Sequence, residues 1–432
     1  ALLAAPIMAR ASAVPELDTT FGAGGVVVRP FLGMGGVAGN VLVQHDGKLV
    51  VTGSYVYGFG GRTGSIPLSR GVVSRLNVDG SADPGFASGG TMDPPLVLPT
   101  VQQRDGKLVG RSDLGLKRLN ADGTLDPSMS PTGAQGIAWY PGMTGNLLLQ
   151  NDGRFVVVGT VGVGTAVYTA VRFNGDGTLD TSFNYVGAVI APHGPSTNDY
   201  FAQGVLQPDG RIVGLATSTV NAVQMMSLVR FRPDGALDTG FGEGGRVLLG
   251  DASGTRIDTA WRLGLHSSGR LLVAATEYDK VAGNAHALVT AVDRTGARDA
   301  AFGTNGTTTV DFGAGPGAAS IDGLLVQPDD KVLVLFRLTA AATGNASYAI
   351  MRLHANGARD ASFGTNGLWF PPGFQSVSTM ALQPDGGLLV AGARSGAPRV
   401  GEYAVARYSM GPSPVIEYYH AALDHYFITM NP

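Results

Sequence analysis

The chain has 432 residues, of which 65 are Gly and none is Cys; 15% are charged and the formal net charge is −3. Glycine stands at about twice its usual ~7% share, while 44% hydrophobic residues are enough for a core and exclude a disordered chain. The absence of Cys excludes disulfides, thiolate metal sites and a cysteine nucleophile. The near-neutral charge, with no basic block, speaks against nucleic acid as a partner, and no run approaches the ~18 apolar residues of a membrane helix.

The chain opens Ala-Leu-Leu-Ala-Ala-Pro-Ile-Met-Ala-Arg-Ala-Ser-Ala, where Ala11 and Ala13 fit the A-x-A site that signal peptidase reads. Residues 1–13 therefore read as the remnant of a secretory signal peptide. The mature start falls near Val14, in a secreted, periplasmic or cell-surface protein, expected of a Gram-negative bacterium.

From there the sequence repeats. Q-x-D-G-K/R followed by an apolar run recurs at Gln44, Gln103, Gln150, Gln207, His266, Gln327 and Gln383. A fixed period of this size is the mark of a repeat architecture. A second motif, R-L-N-x-D-G-x-x-D-x-x-F-G, runs from Arg75 to Phe86 and returns from Arg118, Arg172, Arg230, Val292 and Arg352. Its seventh copy is split: Ala404-Val405-Ala406-Arg407-Tyr408 supplies the first half and Leu17-Asp18-Thr19-Thr20-Phe21-Gly22 the second. An array whose two ends complete one missing unit closes into a ring.

Each unit holds four short apolar stretches rich in Val, Leu and aromatics; in the first these are Ala38–Gln44, Lys48–Tyr55, Gly71–Asn77 and the segment after Gly89-Gly90. Nine of the thirteen motif turns are Asp-Gly, which suits tight antiparallel connections because Gly accepts a positive φ. No segment keeps a 3.6-residue apolar period over helical length. Residues 14–410 thus predict an all-β, seven-bladed β-propeller of four-stranded antiparallel blades. With the strands of a blade called a to d outward from the channel, the last blade takes a to c from the C-terminal end. Its strand d, Val26–Phe31, comes from the N-terminal end.

The paired motifs resemble the delta-60 repeat family of bacterial secreted β-propellers over about residues 16 to 408. The resemblance implies the propeller fold and export, and no shared catalytic activity. The second unit departs from the pattern, with Met129 in place of the motif Phe, and so does the fifth, where His266-Ser267-Ser268-Gly269 replaces the usual turn. Residues 411–432 form a Gly-Pro-Ser-Pro linker and a Tyr/His-rich stretch, Glu417 to Thr429, that resembles the start of a small C-terminal module of secreted bacterial proteins.

Asn77, Asp79 and Asp83 alternate as a calcium loop would, but the further acidic position and the bidentate Glu at the twelfth residue are missing. Arg232, Arg294 and His354 stand where copies would need an oxygen ligand. The Asp residues are therefore expected to hold turns by accepting backbone N–H groups. The motif residues Phe21, Phe86, Phe183, Phe241, Phe302 and Phe363 are expected to pack blade on blade.

Both motif turns fall on one face of the ring and the variable b–c and d–a loops on the other, where function is expected. Two features stand out there. The b–c loop of the first blade carries Tyr55, Tyr57, Phe59 and Arg62, a stacking surface for a sugar or peptide. Asp199, Asp258 and Asp322 enter strand a eight, eight and five residues before Gln207, His266 and Gln327, so they would converge on the channel mouth and hold a cation such as Ca²⁺. No G-x-S-x-G or H-E-x-x-H is present. The leading expectation is a binding or structural module for a protein or glycan. The alternative is a lactonase-like hydrolase using a channel-mouth cation.

Overall fold

The computed structural model describes residues 14–30, 34–60, 66–93, 97–112, 115–129, 144–161, 167–190, 201–220, 223–250, 256–314, 319–339, 345–394, 402–410, 416–420 and 425–429. Antiparallel sheets follow one another along the chain as seven blades. Blade 1 comprises Met34–Val43, Leu49–Gly60, Ile66–Leu76 and Thr91–Met92. Blade 2 comprises Leu98–Gln102, Leu108–Ser112 and Gly115–Leu119, the residues 130–143 that would follow lying outside the described set. Blade 3 comprises Thr144–Leu149, Phe155–Val161, Val167–Phe173 and Ala188–Ile190. Blade 4 comprises Phe201–Leu206, Ile212–Val220, Val223–Phe231 and Arg246–Leu249. Blade 5 comprises Arg256–Leu265, Leu271–Asp279, Asn284–Val292 and Thr307–Ala314. Blade 6 comprises Ala319–Val326, Val332–Thr339, Ala346–Leu353 and Leu368–Trp369.

Blade 7 takes Phe374–Leu382, Leu388–Arg394 and Glu402–Ser409 from the C-terminal side. Its outer strand is Val26–Pro30, paired antiparallel with Glu402–Ala406, and Glu16–Leu17 pairs with Tyr408 and Ser409 on the same edge. The split motif thus closes the ring as the sequence predicts. The innermost strand of each blade touches that of the next all the way round, from blade 1 through blade 7 and back. A separate hairpin, Ile416–His420 with His425–Thr429, follows.

The apolar runs make sense at the blade junctions. Strand b is apolar on both faces because both are covered. Leu49 and Val51 pack against Leu389, Ala391, Tyr403 and Val405 of blade 7, while Val50 between them packs against Leu108 and Leu119 of blade 2. One such core fills every junction of the ring. Each fully buried aliphatic side chain contributes roughly 1.5–3 kcal/mol, so the ring is held by many equivalent layers instead of one centre.

Two sequence readings shift. Tyr55 to Gly60 continue strand b instead of forming a loop, since Tyr55, Val56, Gly58, Phe59 and Gly60 pair with Arg70, Ser69, Leu68, Pro67 and Ile66. In blade 5 the turn bond Asp293 N to Ala297 O matches Asn77 N to Ser81 O of blade 1. Asp293, not Arg294, therefore holds the Asn position, and Ala291 stands where other blades have the motif Arg.

Candidate functional site

The second motif builds a joint between blades. In blade 1 the Arg75 Nε donates to Asp83 Oδ2 at 2.7 Å, and the guanidinium carbon lies 4.6 Å from the centre of the Phe86 ring. Arg75 also donates to the Ala121 carbonyl in the c–d turn of blade 2. The same three contacts recur for Arg172 with Asp180, Phe183 and the Pro233 carbonyl, and for Arg230 with Asp238, Phe241 and the Arg294 carbonyl. Residues following the motif Phe add a backbone bond across the junction, as from Ala87 N to Asp122 O at 2.7 Å and from Gly242 N to Thr295 O at 2.7 Å. The turn glycine is required by this approach as well as by its φ of 85°: a Cβ on Gly123 would meet the Phe86 ring at 2.9 Å. Phe21, Phe86, Phe183, Phe241, Phe302 and Phe363 are all buried, as expected of blade-to-blade packing.

The carboxylates are held ionised. Hydrogen bonds from Ser128, Lys107 and Arg118 outweigh burial and keep Asp126 well below the usual carboxylate range. At Asp83 burial opposes ionisation, but Lys48, the Gly85 N–H and Arg75 together still lower it. In the turns, Asp79, Asp122, Asp176 and Asp234 each accept the N–H two residues on, from Ser81, Thr124, Thr178 and Ala236. That is the turn-holding role expected of them. In blade 5, where Ala291 replaces the Arg, Arg270, just before strand b, reaches across to Asp299 at 2.6 Å and to the Ala355 carbonyl of blade 6 at 2.9 Å.

A second belt, which the sequence reading missed, lies along the inner strands. Asn146, Gln203 and Arg262 each stand four residues before the motif Gln or His. Asn146 Oδ1 accepts from Gly204 N at 3.0 Å. Gln203 bonds both the N–H and the carbonyl of Leu263, at 2.9 and 3.1 Å, and Arg262 Nε donates to the Asp322 carbonyl at 2.9 Å. Of the residues whose backbone groups are used, Asp322 is the extra residue of a β-bulge at Ile321/Gly323, whereas Gly204 and Leu263 stay in register with Gly214 and Val273 on the innermost strands, which pair on one side only. The signal was a polar residue recurring at one offset.

Of the three carboxylates expected at the channel, Asp199 lies outside the described residues and so does the side chain of Asp258, whose backbone pairs with Glu277. Asp322 is the extra residue of its bulge; Ser320 Oγ donates to it at 3.3 Å. Burial lowers the basicity of Arg262, and the Asp322 charge partly opposes this. Among the described residues no three His, Asp or Glu side chains form a metal-binding group.

The four residues expected to form a stacking surface separate. Tyr55 is buried in the core between blades 7 and 1, its hydroxyl donating to Asp93 Oδ2 at 2.5 Å, and burial raises its phenol. Tyr57 is 50% exposed, and the Arg70 guanidinium lies 4.7 Å from its ring centre. The side chain of Phe59 and all of Arg62 lie outside the described residues. The hairpin carrying them has strands of 12 and 11 residues, longer than any other b–c pair of the ring, so it projects beyond its neighbours on the variable-loop face.

The motif face has its own irregularity. Where Pro208, Pro328 and Pro384 follow the motif Gln, no N–H needs a partner. Blade 5 has Ser267 there, and Asp330 of blade 6 caps it: Ser267 N donates to Oδ1 at 3.0 Å and Ser267 Oγ to Oδ2. Asp330 sits at a turn position that is Gly in the other a–b turns and has a φ of 62°.

The family model described as "Domain of unknown function (DUF5122) beta-propeller" matches residues 44–86, 103–128, 150–183, 207–241 and 327–363, within blades 1, 2, 3, 4 and 6. No curated protein matches. Among solved structures, prolyl oligopeptidase B from Galerina marginata, bound to a 35mer hydrolysis and macrocyclization substrate, is 11% identical with a TM-score of 0.48. The match covers 93% of this chain and 50% of that one, so the chain spans about half its length. The β-propeller domain of the Trilobed protease from Pyrococcus furiosus is 8% identical over 88% of this chain and 95% of that one, with a TM-score of 0.46. The polysaccharide lyase Uly1 is 11% identical over 78% and 86%, with a TM-score of 0.42. With repeat matches along the chain and seven blades in the ring, the protein is a β-propeller of DUF5122-type repeats, consistent with the delta-60-type repeat family.

Proposed function

We propose that this propeller is an exported binding module that presents the blade 1 hairpin to a protein or glycan ligand. The observation that supports the reading is Tyr57, half exposed at a β-bulge between the paired residues Val56 and Gly58 and backed by Arg70 at 4.7 Å. An aromatic face fixed in this way offers a stacking platform at little cost in conformational entropy. Residue Tyr55 serves it from below: buried between blades 7 and 1 and bonded to Asp93, it anchors the strand two residues away. The test is a glycan and peptide array probed with the intact protein and with Tyr57→Ala. A ligand bound by the first and lost by the second supports the reading, and equal binding by both overturns it.

A further inference from the structure

On the motif face, the seven repeats can be compared position by position, which exposes a sector that departs from the rest. The residue after the motif Gln or His is Pro in blades 4, 6 and 7 and Ser in blade 5, but His45, Arg104 and Asn151 in blades 1, 2 and 3. The residue before it is Val or Leu in six blades and Gln102 in blade 2. These four departures line one cavity of about 400 Å³ at the inner ends of blades 1 to 3. Six of the seven copies carry an apolar residue before the motif Gln or His, so Gln102 is a departure confined to this sector.

The polar groups of the cavity are not all used. Gln102 Oε1 caps the His45 N–H at 2.8 Å, which positions the start of that turn. The side chains of His45, Arg104 and Asn151 make no hydrogen bond or ion pair with another described residue; Gln150 Oε1 is buried without a partner, as the motif Gln Oε1 also is in blades 1, 4, 6 and 7, so it does not distinguish this cavity. The acidic wall residues are already engaged. Asp105 accepts from Lys107 N and lies 3.9 Å from its ammonium, and Asp152 accepts from Arg154 N and lies 3.3 Å from its guanidinium. Arg104 is thus the cation of this cavity that no carboxylate neutralises.

We propose that this mouth of the channel binds a small organic carboxylate. The Arg104 guanidinium takes the carboxylate through paired N–H donors, and His45 and Asn151 bond the polar groups beside it. The carboxylate can belong to a uronic acid or to the C-terminus of a peptide. The site is separate from the Tyr57 hairpin, which lies at the opposite ends of the strands, so each proposal can fail without the other.

The experiment is calorimetric titration of the full chain with glucuronate and with N-acetyl-alanine, each beside its neutral counterpart, glucose and N-acetyl-alanine amide. Binding of one carboxylate and not of its neutral counterpart identifies the source. That binding is expected to weaken at least about tenfold in Arg104→Gln, to recover partly in Arg104→Lys, and to fall with added salt. Arg104 is exposed, so both variants should melt with the parent protein. Equal affinity for the neutral counterpart, full affinity in Arg104→Gln, or no heat with either acid at millimolar concentration overturns the proposal.

Discussion

The motif Arg–Asp pair is nearly constant in geometry, yet its redundancy differs from blade to blade. Asp83 has Lys48 as a second cation at 2.9 Å, and Asp126 has Lys107 at 2.9 Å. Asp360, only 2% exposed, has Arg352 at 2.8 Å and otherwise His354 at 3.7 Å, because Lys331 turns to Asp329 instead. Removing Arg352 therefore strands a buried carboxylate. Arg352→Met should cost about 3–5 kcal/mol in urea unfolding, against a distinctly smaller loss for Arg75→Met, and equal losses would refute this ranking. Adding Asp360→Leu to Arg352→Met should recover part of the stability. The Ser267–Asp330 contact is a second residue-scale case. Asp330→Gly relieves a strained backbone worth about 1–3 kcal/mol but leaves the Ser267 N–H uncapped, and Ser267→Pro removes that N–H but leaves the strain. The double variant gives this junction the Pro and Gly found where Pro208, Pro328 and Pro384 face the turn Gly of the next blade, and should be more stable than either single variant. Additive melting temperatures would show that the two residues are not coupled.

At the scale of the element, the blade 1 hairpin places two side chains two residues apart in opposite environments, because a β-bulge between Val56 and Gly58 leaves Tyr57 as the extra residue and breaks the alternation that would put both on one face. Tyr55 points into the core and Tyr57 out of it. Tyr55→Ala should cost about 3–5 kcal/mol, as other large-to-small aromatic changes in cores do, while Tyr57→Ala should stay within about 0.5 kcal/mol. A thermal unfolding pair reads this directly, and comparable losses would contradict the assigned burial of Tyr55 and exposure of Tyr57. The same hairpin shows how far sequence reading reaches. Turns, strand order and the split seventh unit were legible because Asp-Gly and the motif Phe are local demands repeated in every blade. Tyr55 to Gly60 read as a loop because its glycines weaken local strand propensity, and the partner that makes it a strand, Ile66 to Arg70, has no motif of its own. The register of blade 5 slipped because the motif Arg is absent there and its work is done by Arg270, just before strand b. The inner belt of Asn146, Gln203 and Arg262 escaped because its partners are backbone groups of the next blade, which leave no residue-type signature. Of the expected channel carboxylates only the Asp322 side chain is described. Its place in a bulge beside Arg262 depends on a junction between blades about sixty residues apart in sequence.

For the whole molecule, the repeated joints make stability a property of the ring. Asp83, Asp126, Asp180, Asp238 and Asp360 all have folded-state acidity lowered by their partners. A carboxylate depressed in the folded state stabilises fully above its unfolded value of about 4 and loses that contribution as pH falls through the folded value. From neutrality to about pH 5 these pairs should leave the melting temperature unchanged, while the buried His266, whose basicity burial lowers, costs some stability below about pH 6.5. Below about pH 4 the melting temperature should fall steeply, and a curve with no steep fall down to about pH 2.5 would show that these pairs add nothing. The junction between blades 7 and 1 differs from the others in one respect: the outer strand of blade 7 runs on into blade 1, but no chain connection joins it to the strand it pairs with in its own blade, Glu402–Ser409. Phe21 and Val27 fill its core, Gly22 N bonds Asp79 O at 2.7 Å, and Arg407 lies 3.3 Å from Asp18. Removing residues 14–30 deletes all of these and leaves the edge of Glu402–Ser409 unpaired. The loss should exceed about 5 kcal/mol from the two core side chains and the ladder together, lower the melting temperature, and promote association through the bare edge. A peptide of residues 14–30 added in trans should reverse that association and restore part of the melting temperature, because the edge it fits is still present. An unchanged melting temperature after the deletion would mean that the ring does not depend on this strand to stay closed.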